Sequence, residues 1–248
     1  MRYHALVCDY DGTLALHGQV DEETLVALKR LRNSGRKLIL VTGRELDDLQ
    51  QIFPHLDLFE RVVAENGALL YLPATREEKL LGGRPPERFI KALHNRGVAP
   101  LSIGRVIVAT WHPHETTVLE VIRDMELELQ VIFNKGAVMV LPSGLNKATG
   151  LSAALSKLGL SPHNMVGIGD AENDHAFLNL CECSAAVANA LPMLKERVNL
   201  VTNGEHGAGV IELIDRLIAS ERRSDVDPVL FRSTPPCGGR RRHHRKIV

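Results

Sequence analysis

The sequence predicts an α/β protein: a doubly wound parallel sheet carrying a small inserted α+β cap domain. Three observations lead there. Short, wholly apolar runs recur, as Ala5-Leu6-Val7-Cys8, Leu38-Ile39-Leu40-Val41 and Met165-Val166-Gly167-Ile168, which is how strands covered on both faces read. Between them lie stretches with Leu or Ile at helical spacing, and strand–helix alternation of this kind implies a parallel sheet with helices on both sides. The rhythm breaks after Gly82-Gly83-Arg84-Pro85-Pro86, a turn-rich boundary.

Taken in order, the first strand ends at Cys8. A helix follows with Leu25, Leu28 and Leu31 on one face, Asp21 as N-cap and Gly35 past its end. The second strand is 38–41, and Val62-Val63-Ala64 is a weaker one. The insert reads as helix 87–96, strand 105–110, helix 115–125, and strands 130–133 and 137–141 joined by a hairpin at Asn134-Lys135-Gly136. Leu151, Leu155 and Leu158 then form a helical stripe ending at Gly159. Strand 165–168 follows, then weaker strands at Ala185-Ala186-Val187 and Leu200-Val201, and a last helix through Ile211, Ile214 and Ile218. The expected domains are a core of residues 1–81 and 143–220, a cap of 82–142, and a basic tail of 221–248. That tail has no apolar face and is expected to be disordered.

With 248 residues, 44% hydrophobic and 24% charged, the composition is that of an ordinary globular protein. No apolar run is long enough to span a bilayer, and Met1-Arg2-Tyr3-His4 leads straight into a strand. No signal peptide is therefore expected, and the chain reads as cytoplasmic, with no membrane partner. Cys181 and Cys183 are spaced too closely for a usual zinc half-site. The formal net charge is zero, but the basic residues Arg232, Arg240, Arg241, Arg242, Arg245 and Lys246 crowd the tail. The body is therefore acidic, which argues against a nucleic-acid partner for the core.

Chemistry gathers in segments that follow the strands. Asp9 and Asp11 leave the first strand together, and ligands of open α/β sheets gather at the carboxyl ends of strands. Two carboxylates this close repel, and a bound cation is the simplest way to keep both ionised. One can then serve as nucleophile and the other as general acid and base. Thr42, with the N–H of Gly43, makes an anion cradle after the second strand. Lys147 can offset negative charge between nucleophile and phosphate. Asp170 and Asp174, four apart after strand 165–168, can face one hard cation if a helix starts there, and Asn173 can bind a phosphate oxygen.

Asp9-Tyr10-Asp11-Gly12-Thr13, Thr42-Gly43-Arg44, Lys147 and Gly169-Asp170-Ala171-Glu172-Asn173-Asp174 together resemble the four motifs of the haloacid dehalogenase (HAD) superfamily. The position of the insert, Glu65-Asn66-Gly67-Ala68 and the hairpin before Lys147 resemble its type IIB, Cof-like branch. The resemblance implies a Rossmann-like core and a phosphatase acting through an aspartyl phosphate on Asp9, with Asp11 as acid and base. Thr42, the Gly43 amide and Lys147 would hold the phosphoryl oxygens. Mg2+ would sit among Asp9, the Asp11 carbonyl and Asp170, with Asp174 as ligand or support. Arg44, Asn66 and Asn173 are further substrate-binding candidates, and His112, His114, Arg105 and Lys135 are the cap's polar candidates. The expected substrate is a small phosphorylated metabolite, a sugar phosphate or phosphoglycolate. A phosphomutase or phosphotransferase acting on sugar phosphates, and a non-catalytic metabolite- or partner-binding domain, are the alternatives.

Overall fold

The computed structural model describes residues 3–222; the predicted tail lies outside them except at its start. The first half of the core comprises β1 (Ala5–Cys8), α1 (Glu22–Asn33), β2 (Lys37–Val41), α2 (Leu46–Ile52), β3 (Arg61–Ala64), β4 (Leu69–Leu72) and β5 (Glu77–Leu80). Next come α3 (Glu87–Asn95), β6 (Ser102–Ile103), β7 (Val108–Trp111), α4 (Glu115–Asp124), β8 (Leu129–Asn134) and β9 (Ala137–Pro142). The chain ends with α5 (Lys147–Leu158), β10 (Met165–Gly169), α6 (His175–Leu180), β11 (Cys183–Ala186), α7 (Pro192–Lys195), β12 (Leu200–Val201) and α8 (His206–Arg222).

The main sheet runs β12-β11-β10-β1-β2-β3-β4-β5. All pairings from β12 to β3 are parallel. The chain moves outward from β1 through β2 to β3, then returns to the other side of β1 at β10. Strand order therefore reverses between β1 and β10, the place where ligands of such sheets bind. Right-handed crossovers in the two directions put helices on opposite faces. Accordingly α1 packs with α8, and α5 with α6. Every residue of β1 is buried. Asp21 caps α1 by accepting from Thr24 N, and Gly159 ends α5 in the left-handed region, both as the sequence predicts.

The sheet departs from the expected all-parallel arrangement at one edge. β4 and β5 pair antiparallel beside β3. β5 reads Glu77-Glu78-Lys79-Leu80 and is exposed throughout; it lacks an apolar face but carries the charges that protect an edge strand from wrong pairing.

Between β5 and α5 the chain builds a second, antiparallel sheet, β6-β7-β9-β8. Its strands alternate. Val138 and Val140 turn toward Phe89, Leu93 and Val118 of α3 and α4, while Ala137, Met139 and Leu141 turn toward Ala68 of the main domain, the period-two pattern of a strand. Strand 105–110 of the sequence reading starts only at Val108. The reason is Glu65, wholly buried, whose carboxylate accepts from Arg105 N at 2.9 Å, Val106 N at 2.7 Å and Ile107 N at 3.0 Å. A core carboxylate thus fastens the second sheet to the first. Glu65→Ala removes the acceptor of three main-chain bonds, two of them buried, and should cost about 2–4 kcal/mol, read by denaturant unfolding, with faster proteolysis at Gly82-Gly83. Unchanged stability would show that the latch is not needed.

Candidate active site

Each predicted segment sits at the carboxyl end of a parallel strand or at a helix start that faces it. Asp9 leaves β1, Thr42 leaves β2, Asp170 leaves β10, and Lys147 opens α5. Lys147 is set by a close approach. Asn146 caps α5 through a capping box, and Gly67 lies so near that a β-carbon on it would sit 1.9 Å from Asn146 O. Only glycine fits there, and its φ of 101° suits no other residue.

At the centre, Lys147 Nζ lies 2.6 Å from Asp9 Oδ1 and 2.6 Å from Asp174 Oδ1, and all three residues are buried. Asp174 Oδ2 accepts from Asp170 N at 2.8 Å and Ala171 N at 3.0 Å, so this carboxylate ties the β10 loop to the lysine. Thr13 donates to Asp170 Oδ1 at 3.1 Å. The loop after β1 is pinned from the far side: Asn189 Nδ2 (2.8 Å) and His206 Nδ1 (2.9 Å) both bond Gly12 O, and Asn189 Oδ1 accepts from His206 N.

The electrostatics follow from this crowding. Burial, then repulsion from Asp174, holds the Asp9 carboxyl well above the usual carboxylate range, with Lys147 opposing. Burial and Asp174 also raise Asp170, against Lys135 and Thr13. Burial works against the Lys147 ammonium, but Asp174 and Asp9 outweigh it and keep the lysine charged.

Asp9, Asp170 and Asp174 offer ligand atoms within 4.8 Å of one another. An all-carboxylate oxygen set suits a hard divalent cation rather than a soft one, so these residues fit a metal. Asp11 is not in that cluster. Its carboxylate is gripped by Arg44, with Nε to Oδ2 at 2.6 Å and Nη2 to Oδ1 at 2.7 Å, and Arg44 also reaches Asp48 and lies over the Tyr10 ring. Thus Arg44 is held by acids here. Thr42 is buried and its Oγ1 accepts from Arg44 N at 3.1 Å. α2 begins only at Leu46, so the Thr42 hydroxyl braces a turn rather than capping a helix. Asn66 and Asn173 bond each other at 3.0 Å beneath Gly43, leaving Asn66 Nδ2 and Asn173 Oδ1 without a partner among the described residues. The helix expected at Asp170 is a single tight turn, Glu172–Asp174, before α6.

A cleft of about 660 Å³ lies between the two sheets, with Asp9, Asp11, Gly43 and Arg44 on one side and Lys135 and Met139 on the other. Of the polar candidates of the insert, only Lys135 lines it. His112 pairs with Glu115 and stacks on Phe133, His114 bonds Ala99 O, and Arg105 binds Asp47 and Glu78.

Residues 6–97 and 105–214 match the family of haloacid dehalogenase-like hydrolases. The chain belongs to that family. The hydrolase is 29% identical to phosphoglycolate phosphatase 2 of Saccharolobus solfataricus, over 88% of this chain and 94% of that protein. It is also 29% identical to a phosphoglycolate phosphatase of Methanothermobacter thermautotrophicus, over 86% and 98%. In fold it resembles a HAD/COF-like hydrolase of Plasmodium vivax, with a TM-score of 0.76 at 19% identity over 88% of this chain and 96% of the other. A HAD subclass IIB sugar phosphatase aligns with a TM-score of 0.70 at 17% identity over 86% and 98%. The haloacid dehalogenase resemblance read from the motifs therefore holds. No helix among the described residues is long and apolar enough to cross a membrane.

Sequence reasoning did not single out Asn189 and His206 of this hydrolase, or the carboxylate of Glu65. Asn189 lies in the turn between β11 and α7, and His206 opens α8 with a φ of 46°; neither position has an apolar pattern to mark it.

The raised carboxylates make a pH-dependent prediction. A carboxyl whose pKa rises on folding stabilises fully below its ordinary value of 3.8, and that contribution is lost as pH climbs through the folded value. A divalent cation on these oxygens offsets the loss. The gain in Tm on adding Mg2+ to chelator-treated protein should therefore be several degrees larger at pH 8 than at pH 5, at about 2–4 °C per kcal/mol. Equal gains would unlink the cluster's ionisation from the cation.

Proposed function

We propose that this hydrolase is a Mg2+-dependent phosphatase of small phosphorylated metabolites, of the phosphoglycolate or sugar phosphate class, working through an aspartyl phosphate. The observation that carries the reading is Lys147 bridging Asp9 and Asp174 within the carboxylate cluster. Its ammonium opposes the burial and repulsion that disfavour the Asp9 carboxylate and fixes that carboxyl at the cleft wall. The names of the curated relatives and of the subclass IIB neighbour support the same reaction class.

Asp9 would attack phosphorus, forming a bond from its carboxylate oxygen to phosphorus as the bond to the leaving oxygen breaks, and Asp11, released from Arg44 and carrying a proton from solvent, would give that oxygen its proton. Water would then attack the phosphorus, Asp11 would take the water's proton, and Asp9 would be freed. Arg44 holds Asp11 on the cleft side, where the leaving group departs. Lys147 and the Gly43 amide would meet the phosphoryl oxygens, with Thr42 fixing the Gly43 turn. Asp9, Asp170 and the nearby Asp11 carbonyl would hold Mg2+, with Asp174 orienting them. The ion supplies neutralisation of charge on the phosphoryl group. We assign residues 82–142 as the cap that covers the site and selects the substrate.

The test is a phosphate-release screen of small phosphate esters with Mg2+ and with chelator. Chelator-sensitive release supports the reading. Transfer of phosphate to a second sugar, with little free phosphate, would replace it with a phosphotransferase.

A further inference from the structure

Lys135 stands at the tip of the β8–β9 hairpin, where Asn134 pairs with Ala137 and only Lys135 and Gly136 make the turn. Their φ values are 46° and 90°, the left-handed pair that favours Asn-Gly. A lysine gains nothing from that backbone, so its presence is explained by what the side chain reaches. It reaches across the cleft to the Asp170 carboxylate, with Nζ 2.8 Å from where a β-carbon on Gly12 would sit. The ammonium therefore hangs over the Asp11-Gly12 turn, beside the general acid and so on the leaving-group side of the transferred phosphoryl.

The surrounding charge makes the position selective. Among the described residues, Lys135 is the only Lys or Arg of residues 82–142 that lines the cleft. Arg105 is committed to Asp47 and Glu78, and Arg96 to Glu120 and Asp124. Across the cleft, Arg44 is filled by Asp11 and Asp48, and Lys147 is enclosed by Asp9 and Asp174. The rest of the cleft presents Asp11 and Asp48 paired with Arg44, the carboxylate of Glu45, and the imidazoles of His17 and His206, so it offers no uncommitted Lys or Arg to an anion. Lys135 is 44% exposed on a flexible stem, so its point charge can turn from Asp170 to a ligand.

We propose that Lys135 sets substrate choice by pairing with a carboxylate on the leaving group, so that the site favours phosphorylated hydroxy acids over neutral phosphate esters; this rests on the phosphatase reading above.

The test compares 2-phosphoglycolate with 2-hydroxyethyl phosphate, which has a neutral alcohol in place of the carboxylate. Lys135→Asn suits the turn, and with Mg2+ present to take over the charge of Asp170 it should leave a folded protein with Tm within a few degrees of native. It should lower kcat/KM for phosphoglycolate by about 10–100-fold, chiefly through KM, because a charge-assisted bond is lost. The hydroxyethyl ester should change by less than about threefold, and Lys135→Arg should recover part of the preference. Equal losses on both esters, or none on phosphoglycolate, would overturn the assignment. The same comparison by calorimetry in an Asp9→Asn background separates the two readings. If Lys135→Asn weakens binding of phosphoglycolate alone there, the assignment stands even should the native chain release no phosphate. If both esters bind alike with Lys135 present, it falls.

Discussion

Asp9→Asn is expected to abolish phosphate release, by more than about 10³-fold in kcat, while leaving a folded protein. Asn keeps the shape of Asp9 but cannot attack phosphorus. The stability change should be small because opposing contacts change together. Asp9 is buried beside Asp174 and Asp170, whose repulsion the substitution relieves, and it gives up one of the two carboxylates around Lys147. A Tm within a few degrees of native, with no phosphate released, is the expected pair of results. Trapping labelled phosphate on the native chain after an acid quench, and none on the variant, would locate the intermediate. Activity within tenfold of native would place the nucleophile elsewhere.

What the sequence made legible follows from where apolar pattern and chemistry coincide. β1, β10 and the Leu38–Val41 part of β2 are apolar because helices cover both faces of the sheet, and the residues straight after them, Asp9, Thr42 and Asp170, are therefore at the sheet's carboxyl edge. The β4–β5 edge was not legible, because an exposed strand reading Glu77-Glu78-Lys79 has no buried face to give it a period. Nor could spacing show side-chain pairing across the fold. Asp11 and Arg44 meet from the ends of neighbouring strands, so the proposed acid and a proposed substrate contact turn out to hold each other. Glu65 has main-chain partners on a distant loop, and no side-chain pattern announces a bond to an amide. Lys135 was one polar residue among several in the insert until the hairpin geometry aimed it into the cleft.

Lys147→Met should show how much of this cluster is structure and how much is chemistry. Lys147 is buried to 1% exposure with carboxylate oxygens at 2.6 Å on two sides. Methionine roughly fills the stem's space but removes the charge, and breaking a buried ion pair from one side costs about 3–5 kcal/mol. In a chain of this size that lowers Tm by roughly 6–20 °C. Protons would bind more readily at Asp9, where the ammonium no longer opposes burial and the repulsion from Asp174. A divalent cation competes with those protons, so Mg2+ should raise Tm more in the variant than in the native chain. The rate should not follow. An ion can neutralise the carboxylates, but it cannot return the ammonium donor to the phosphoryl oxygens, and activity should stay at least about 10²-fold down at saturating Mg2+. If Mg2+ restores both Tm and rate, Lys147 serves only to balance charge. If Tm falls by less than about 2 °C without the ion, an effect of at most about 0.5–1 kcal/mol, the Asp9 carboxyl is already neutral and the lysine is not paired with a charge there.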